Sequence, residues 1–339
     1  MSSNIPKNHP KFHNEIGILL INLGTPEGYD YFSVRRYLKE FLSDRRVIEV
    51  NKFLWKIILN CFILTFRPSK TGAKYQQIWM KKENMSPLKY YTEKQAEEIS
   101  KKYPDFVVSY AMRYGNPSIE SKIDELQKHG CKKILFIPLY PQYCSATTGS
   151  VQDEIFRVLK KLRWQPNIRI AEQYPDNKVY IKGLVKSVKN HIKSIAFKPD
   201  AILSSYHGIP QEYFQKGDPY SCFCHKTNRL FNEELVNQKV NVLNHISFQS
   251  RFGPRQWLKP YTEDVLKELV EKGVKNLIVI TPGFASDCIE TLEEVNMEYR
   301  EKFIEFGGKN FSFVPCLNDS KDGIAVIEDL VKRELWKNS

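Results

Sequence analysis

His207 stands in Ser204-Ser205-Tyr206-His207-Gly208-Ile209-Pro210, directly after the apolar run Asp200-Ala201-Ile202-Leu203. An imidazole is a base near neutral pH and a metal-ligating nitrogen. The apolar run reads as a buried strand, and the Gly-Ile-Pro that follows stops it in a tight turn. His207 is thereby set at the carboxyl end of a parallel strand, the rim at which open α/β sheets bind ligands. A carboxylate is set in the same way, because Phe284-Ala285-Ser286-Asp287-Cys288-Ile289-Glu290 closes another strand. The two strand ends predict one cleft, with His207 and Glu290 facing each other across it.

Glu290, Glu294 and Glu298 recur every four residues and share one helix face, with Glu293 on a neighbouring face and Asp287 ahead of them. Such a stripe is either a solvated acidic face or a row of like charges whose repulsion raises their pKa values. In the second case Asp287, Glu294 and Glu298 form a proton or metal relay. The position just after a strand end favours the relay. Cys288 adds a soft potential ligand, although buried thiols commonly serve packing. Cys222-Phe223-Cys224-His225 resembles a ligand cluster. One residue between the cysteines is too few for a structural zinc site, and no second pair matches it. Neither GxGxxG nor GxxxxGK[ST] occurs, so NAD and ATP are unsupported.

The elements that must position these groups follow from hydrophobic patterning. Ile16 to Leu23 is a continuous apolar run closing in Gly24-Thr25-Pro26, which fits a central parallel strand. Further strands are expected at 106–113, 133–140, 168–171, 201–205, 245–249, 277–281 and 311–315. Amphipathic helices lie between them, including 91–102, 119–128, 151–162, 180–195, 227–237, 263–272 and 289–303. Tyr143 to Ser150 reads as a loop of small hydroxyl residues. Lys52 to Phe66 differs from all of these: its ten large apolar residues leave almost no polar face, with charge only at Lys52 and Lys56 and at Arg67 just after it. It is too short to cross a bilayer. It is either a buried helix or an apolar lip that meets a flat hydrophobic ligand or a membrane surface.

The order of elements repeats. Gly130 to Ile137 parallels Gly273 to Ile280, Arg113-Tyr114-Gly115 parallels Arg251-Phe252-Gly253, and Leu23-Gly24-Thr25-Pro26-Glu27 parallels His207-Gly208-Ile209-Pro210-Gln211. Three matches in one order predict an α/β protein of two similar doubly wound, Rossmann-like lobes, each with a four-stranded parallel sheet. Leu23 then occupies in lobe one the position of His207 in lobe two. The expected units are residues 14–172, residues 173–318, and a C-terminal helical segment 319–339 that packs back on the first lobe.

Composition agrees with a globular and not a disordered protein: 42% apolar and 27% charged residues over 339 positions, with a formal net charge of +12. The positive charge suits an anionic partner. Nucleic acid ranks low, because the basic residues are scattered and no nucleic-acid-binding motif occurs. The stretch Met1 to Glu15 lacks the apolar core of a signal peptide, the seven cysteines form no extracellular framework, and no run of about 18 uncharged apolar residues occurs. A cytoplasmic protein is expected.

Six ordered motifs together resemble the ferrochelatases. They are Gly17 to Pro26; Tyr140-Pro141-Gln142-Tyr143 with Thr147-Thr148-Gly149-Ser150; Ser205 to Pro210; Gly217-Asp218-Pro219-Tyr220 with Cys222 to Thr227; Phe248 to Pro254; and Ser286 to Leu292. The Cys-x-Cys-His-Lys-Thr version is similar to that of proteobacterial members. The resemblance implies a two-lobed chelatase fold and insertion of Fe2+ into protoporphyrin IX to make protoheme. It implies that His207 and Glu290 serve in metal binding and proton removal. It implies that Leu23, Arg67, Tyr75, Ser86, Arg113, Tyr140 and Phe284 line the porphyrin cleft or its entrance. Two departures stand out. Some members carry His where Cys288 stands. Members with a [2Fe-2S] cluster hold it with cysteines of a C-terminal extension, whereas only Cys316 lies near the end here, so no cluster is expected and no cofactor beyond the iron substrate. A monomer, touching the inner membrane at most peripherally, is the expectation. The rivals are a cobalt or nickel chelatase acting on a more polar tetrapyrrole and a two-lobed porphyrin- or solute-binding protein without catalysis.

Overall fold

The structure is a computed structural model that describes residues 15–336. Most of the polar N-terminal stretch, Met1 to Asn14, and the last three residues of the C-terminal segment lie outside the described residues. The strands are β1 (Glu15–Gly24), β2 (Val107–Tyr114), β3 (Cys131–Pro138), β4 (Asn167–Ile170), β5 (Ala201–His207), β6 (Leu243–Gln249), β7 (Asn276–Ile280) and β8 (Asn310–Phe313). In the first half the helices are α1 (Tyr31–Ser43), α2 (Lys52–Ile58), α3 (Leu64–Ile78), α4 (Pro87–Lys102), α5 (Ile119–Lys128) and α6 (Ser150–Leu159). They continue with α7 (Lys178–Ser194), α8 (Gln211–Gln215), α9 (Tyr220–Asn237), α10 (Thr262–Glu271), α11 (Arg300–Glu305) and α12 (Lys321–Glu334).

The strands form two four-stranded parallel sheets, ordered β2-β1-β3-β4 and β6-β5-β7-β8. The second order is the first one carried forward by four strands, which is the duplication read from the sequence. Strand alternation divides the core. Ile18 and Leu20 of β1 face inward, where they share one cluster with Ile202 of β5, Ile278 and Ile280 of β7, and helices α7, α9 and α12. Leu19 and Ile21 face outward onto α5 and α6. Leu203 of β5 likewise faces α10 and α11. Burial on both faces is why these strands read as unbroken apolar runs. Helix α12 lies against α7 and α4 and reaches β3.

Four features depart from the sequence reading. The predicted 289–303 helix opens as a π-helix over Glu290–Tyr299 before tightening into α11. Its wider i→i+5 turns are of a kind that clusters at functional sites. The 143–150 stretch is not a plain loop, because Ser145–Gly149 forms a π-turn that runs into α6. Helix α9 begins at Tyr220 rather than at 227 and absorbs Cys222-Phe223-Cys224-His225. Two residues apart on a helix point different ways: Cys222 is exposed and Cys224 buried, so they make no ligand pair.

The Lys52–Phe66 stretch is broken too, into α2, a π-turn at Leu59–Ile63 and the start of α3. Leu59 and Leu64 anchor it against α1, and Trp55 Nε1 donates to the Leu42 carbonyl at 2.6 Å. The other side faces solvent: Phe53 is 79% exposed, Phe62 60% and Phe66 68%. The stretch is therefore the apolar lip and not a buried helix. No helix among the described residues is long and apolar enough to cross a membrane.

Two glycines shape the strand ends. Gly24 ends β1 at φ +113°, where a Cβ would lie 1.8 Å from the Tyr114 carbonyl oxygen. Gly208, after β5, is required for a different reason than turning: a Cβ there would come within 2.7 Å of the Gln249 carbonyl, to which its own N–H donates at 2.8 Å. Gly208→Ala should lower unfolding free energy by about 1–3 kcal/mol, the usual cost of overpacking. Urea titration of the purified variant checks this, and an unchanged midpoint would contradict it.

Candidate active site

The carboxyl ends of both sheets open onto one cavity whose empty space, mouth included, is about 1240 Å³. His207 and Glu290 both line it. Both belong to the second lobe. His207 is the last residue of β5, and Glu290 opens the π-helix that follows β7, the strand beside β5. The first lobe supplies the facing wall with Leu23, Tyr75, Ser86 and Tyr140, and Phe284 closes it from the loop after β7. Ser86 is also the N-cap of α4, accepting from the Lys89 N–H.

The imidazole is fixed by its own chain. His207 Nδ1 lies 2.6 Å from the Gly208 carbonyl oxygen. A carbonyl can only accept, so Nδ1 carries the proton and the Nε2 lone pair is left for a proton or a metal. Three acidic and basic groups then act as one electrostatic site. Burial raises the pKa of Glu294, and the Glu290 charge adds to this; hydrogen bonds from Ser250 and Tyr299 and the nearness of His207 oppose the rise without cancelling it. The Glu294 carboxylate accepts from the Ser250 N–H at 2.8 Å, the Ser250 hydroxyl at 2.6 Å and the Tyr299 hydroxyl at 3.0 Å. A carboxylate with a raised pKa can take a proton closer to neutral pH than an ordinary one.

Neutral groups surround these charges. Burial, and then the Glu290 charge, push the Tyr75 phenol well up. Burial does the same to Tyr37, whose hydroxyl donates to the Gly24 carbonyl at 3.3 Å. The Cys288 thiol is pushed well up by burial and by Glu290 beside it. It enters the cavity as neutral S–H rather than as a thiolate ligand.

Two members of the predicted relay lie elsewhere. Asp287 is buried and ties its loop to the π-helix and to the segment after β8, accepting from Thr291 Oγ1 at 3.0 Å and from Asn318 Nδ2 at 2.6 Å. Glu298 is turned to the surface, paired with Lys74 at 3.5 Å and Lys302 at 3.4 Å. Glu294 alone of the three joins His207 and Glu290. Among the described residues no group of three or more His, Cys, Asp or Glu side chains is arranged to hold a metal ion.

Neither predicted arginine lines the cavity. Arg67 is exposed on the lip and stacks over the Phe252 ring of the second lobe, 4.9 Å from its centroid. Arg113 lies beneath the wall: it pairs with Asp44 at 2.6 Å and donates to the Ser150 hydroxyl at 2.7 Å. Tyr114 and Ser150 hydroxyls also donate to Asp44, at 2.7 and 2.5 Å. Patterning alone did not single out Tyr37, Gln142 or Trp257, which line the cavity. Nor did it single out Gln249 and Ser250, which hold Glu294, although both lie in a quoted motif.

A family model described as Ferrochelatase matches residues 15–335. A ferrochelatase of Francisella tularensis subsp. novicida (strain U112) is 52% identical over 323 residues, covering 95% of this chain and 97% of that protein. One of Allorhizobium ampelinum is 51% identical over 337 residues, covering 98% and 97%. Among solved structures, SirB from Bacillus subtilis with Fe3+ matches with a TM-score of 0.55 at 13% identity, covering 94% of this chain and 95% of that one. That likeness speaks to the fold alone.

The Asp44 network yields a pH-dependent test. Burial works against the Asp44 charge, but hydrogen bonds from Ser150, Arg46 and Tyr114 and the Arg113 charge prevail and lower its pKa. A lowered folded-state pKa stabilises above the unfolded value of about 3.9 and is lost as pH falls through the folded one. Asp44→Asn should cost about 3–5 kcal/mol at neutral pH, because it leaves Arg113 without its partner. The gap to the unaltered protein should close in strong acid. Denaturation at several pH values checks this; a gap that does not change with pH would contradict it.

Proposed function

The chain belongs to the ferrochelatase family, and from that premise we propose that His207 Nε2 and the Glu290 carboxylate receive the metal and remove the pyrrole protons. The enzyme is a lyase that inserts Fe2+ into protoporphyrin IX to give protoheme, the last step of heme synthesis. Two N–H protons must leave the ring as the metal enters, so the site needs two acceptors that work near neutral pH. A neutral imidazole with its lone pair free can take one. The other can pass by way of the Glu290 carboxylate to Glu294, whose pKa burial raises. The observation that carries this reading is the Nδ1–H bond to the Gly208 carbonyl, which leaves Nε2 as the basic nitrogen.

Iron here is a substrate and must be released to the ring. One imidazole and one carboxylate bind borderline Fe2+ weakly enough for that. Leu23, Tyr75, Tyr140 and Phe284 make a rigid apolar slot around a flat ring, with Ser86 at its side. Binding energy spent against such walls can bend the ring and expose its nitrogen lone pairs. Arg67 at the lip offers positive charge to the propionates, whereas Arg113 is spent on Asp44 behind the wall. Asp287 and Glu298 have no part in the relay; Glu294 is the residue that continues it.

The lip gives the enzyme a peripheral hold on the cytoplasmic face of the membrane. Its Phe53, Leu54, Ile57, Phe62 and Phe66 all present apolar side chains to solvent within one short stretch, a concentration that marks an interaction surface. Lys52, Lys56 and Arg67 flank it and suit anionic headgroups. We assign the enzyme no [2Fe-2S] cluster and read it as a monomer.

His207→Ala should lower anaerobic Fe2+ insertion by about 100- to 10,000-fold, with porphyrin still bound, and Glu290→Gln should lose activity without unfolding. The heme absorption band and porphyrin fluorescence report the two steps. Normal turnover in His207→Ala removes the assignment. Burying a Phe is worth about 1.5–3 kcal/mol, so replacing Phe62 and Phe66 together by Ser should weaken binding to anionic vesicles by roughly 100-fold or more. Unchanged vesicle affinity would end the membrane reading.

A further inference from the structure

Gln249 has its side chain 1% exposed at the end of β6, opposite His207 in the β5–β6 register. It touches both halves of the site, in each case through a hydrogen bond whose direction is set by its partner. Its backbone carbonyl accepts from the Gly208 N–H at 2.8 Å, which seats the carbonyl that in turn holds His207 Nδ1. Its side-chain Nε2 donates to the Glu290 carbonyl at 3.0 Å and reaches the Glu294 carboxylate at 3.4 Å. Its Oε1 accepts from the Ser205 hydroxyl at 2.8 Å, one turn of the pleat before His207. The Glu290 carbonyl that accepts from Nε2 has no proton to give, so the amide has one orientation.

The Glu290 carbonyl stands at the first turn of the π-helix. A cross-strand side chain that reaches it fixes where that turn sits relative to β5. We propose that Gln249 is a positioning residue, which holds the π-helix that carries Glu290 and Glu294 at a set distance from the His207 imidazole. Four hydrogen bonds converge on it from β5, from the loop after β5 and from the π-helix. A buried amide that only satisfied stray polar atoms would have no reason to bind backbone on one side and carboxylate on the other. The inference rests on the His207–Glu290 reading of the active site.

The test is Gln249→Met, which keeps length and volume and removes the side-chain hydrogen bonds while sparing the backbone carbonyl. Loss of a supporting hydrogen bond to a metal-handling group commonly costs about 10- to 100-fold. The expected result is a fall in kcat of that size with a raised KM for Fe2+, while the Kd for porphyrin stays within about two-fold and Tm within a few degrees. Unchanged kcat and KM for Fe2+ would overturn the inference. So would loss of porphyrin affinity and Tm in step with activity, because the residue would then be holding the fold and not the site. His207→Ala measured alongside separates the two levels. If it retains activity, the active-site reading fails. If it is inactive while Gln249→Met is normal, only the role of Gln249 fails.

Discussion

The hydrogen bond from His207 Nδ1 to the Gly208 carbonyl is the interaction on which the proposed chemistry depends. It decides which imidazole nitrogen is a base and which is spent. That bond needs the Gly208 carbonyl held still, and the Gly208 N–H to the Gln249 carbonyl does so. The close approach of those two backbone segments is possible only because residue 208 has no Cβ. A tautomer is thus set by backbone geometry at the ends of two paired strands. Imidazoles held by side chains alone are easier to turn.

Duplication explains why such a site can exist, and divergence explains why it is one-sided. Both sheets present strand ends to the same cavity. The first lobe has Leu23 where the second has His207, and Tyr37 and Tyr75 meet the cavity as uncharged hydroxyls. One lobe therefore offers a greasy wall, and the other gathers His207, Glu290 and Glu294. A flat apolar ring with a polar centre needs both demands met at once. The π-helix adds a local adjustment, since it begins at Glu290 and brings Glu294 to Ser250 and Tyr299.

Most of the scaffold was legible because buried parallel strands are continuous apolar runs and their ends are marked by Gly and Pro. The same marks placed His207 and Glu290 at strand ends, and both line the cavity. What stayed hidden depended on contacts that no spacing encodes. Arg113 looks like a cleft cation, but its partner Asp44 is 69 residues away in sequence. Asp287 reads as available from its spacing, but Asn318, 31 residues away in sequence, claims it. The lip is apolar on all faces, so periodicity could not tell Leu59 and Leu64, which are buried, from Phe62 and Phe66, which are not. A π-helix changes the hydrogen-bond partner by one residue and leaves the apolar spacing nearly as it was. Tyr37, at helical spacing with Val34 and Leu38, is indistinguishable by pattern from a core residue.

The most direct measurement is nitrogen NMR of the histidine rings in uniformly 15N-labelled protein, with the His207 signals identified by their loss in His207→Gln. The geometry requires the tautomer protonated at Nδ1, with Nε2 showing the shift of a nitrogen that bears a lone pair. A ring found with its proton on Nε2 would mean that the cleft holds no free imidazole base, and the mechanism built on it would fall.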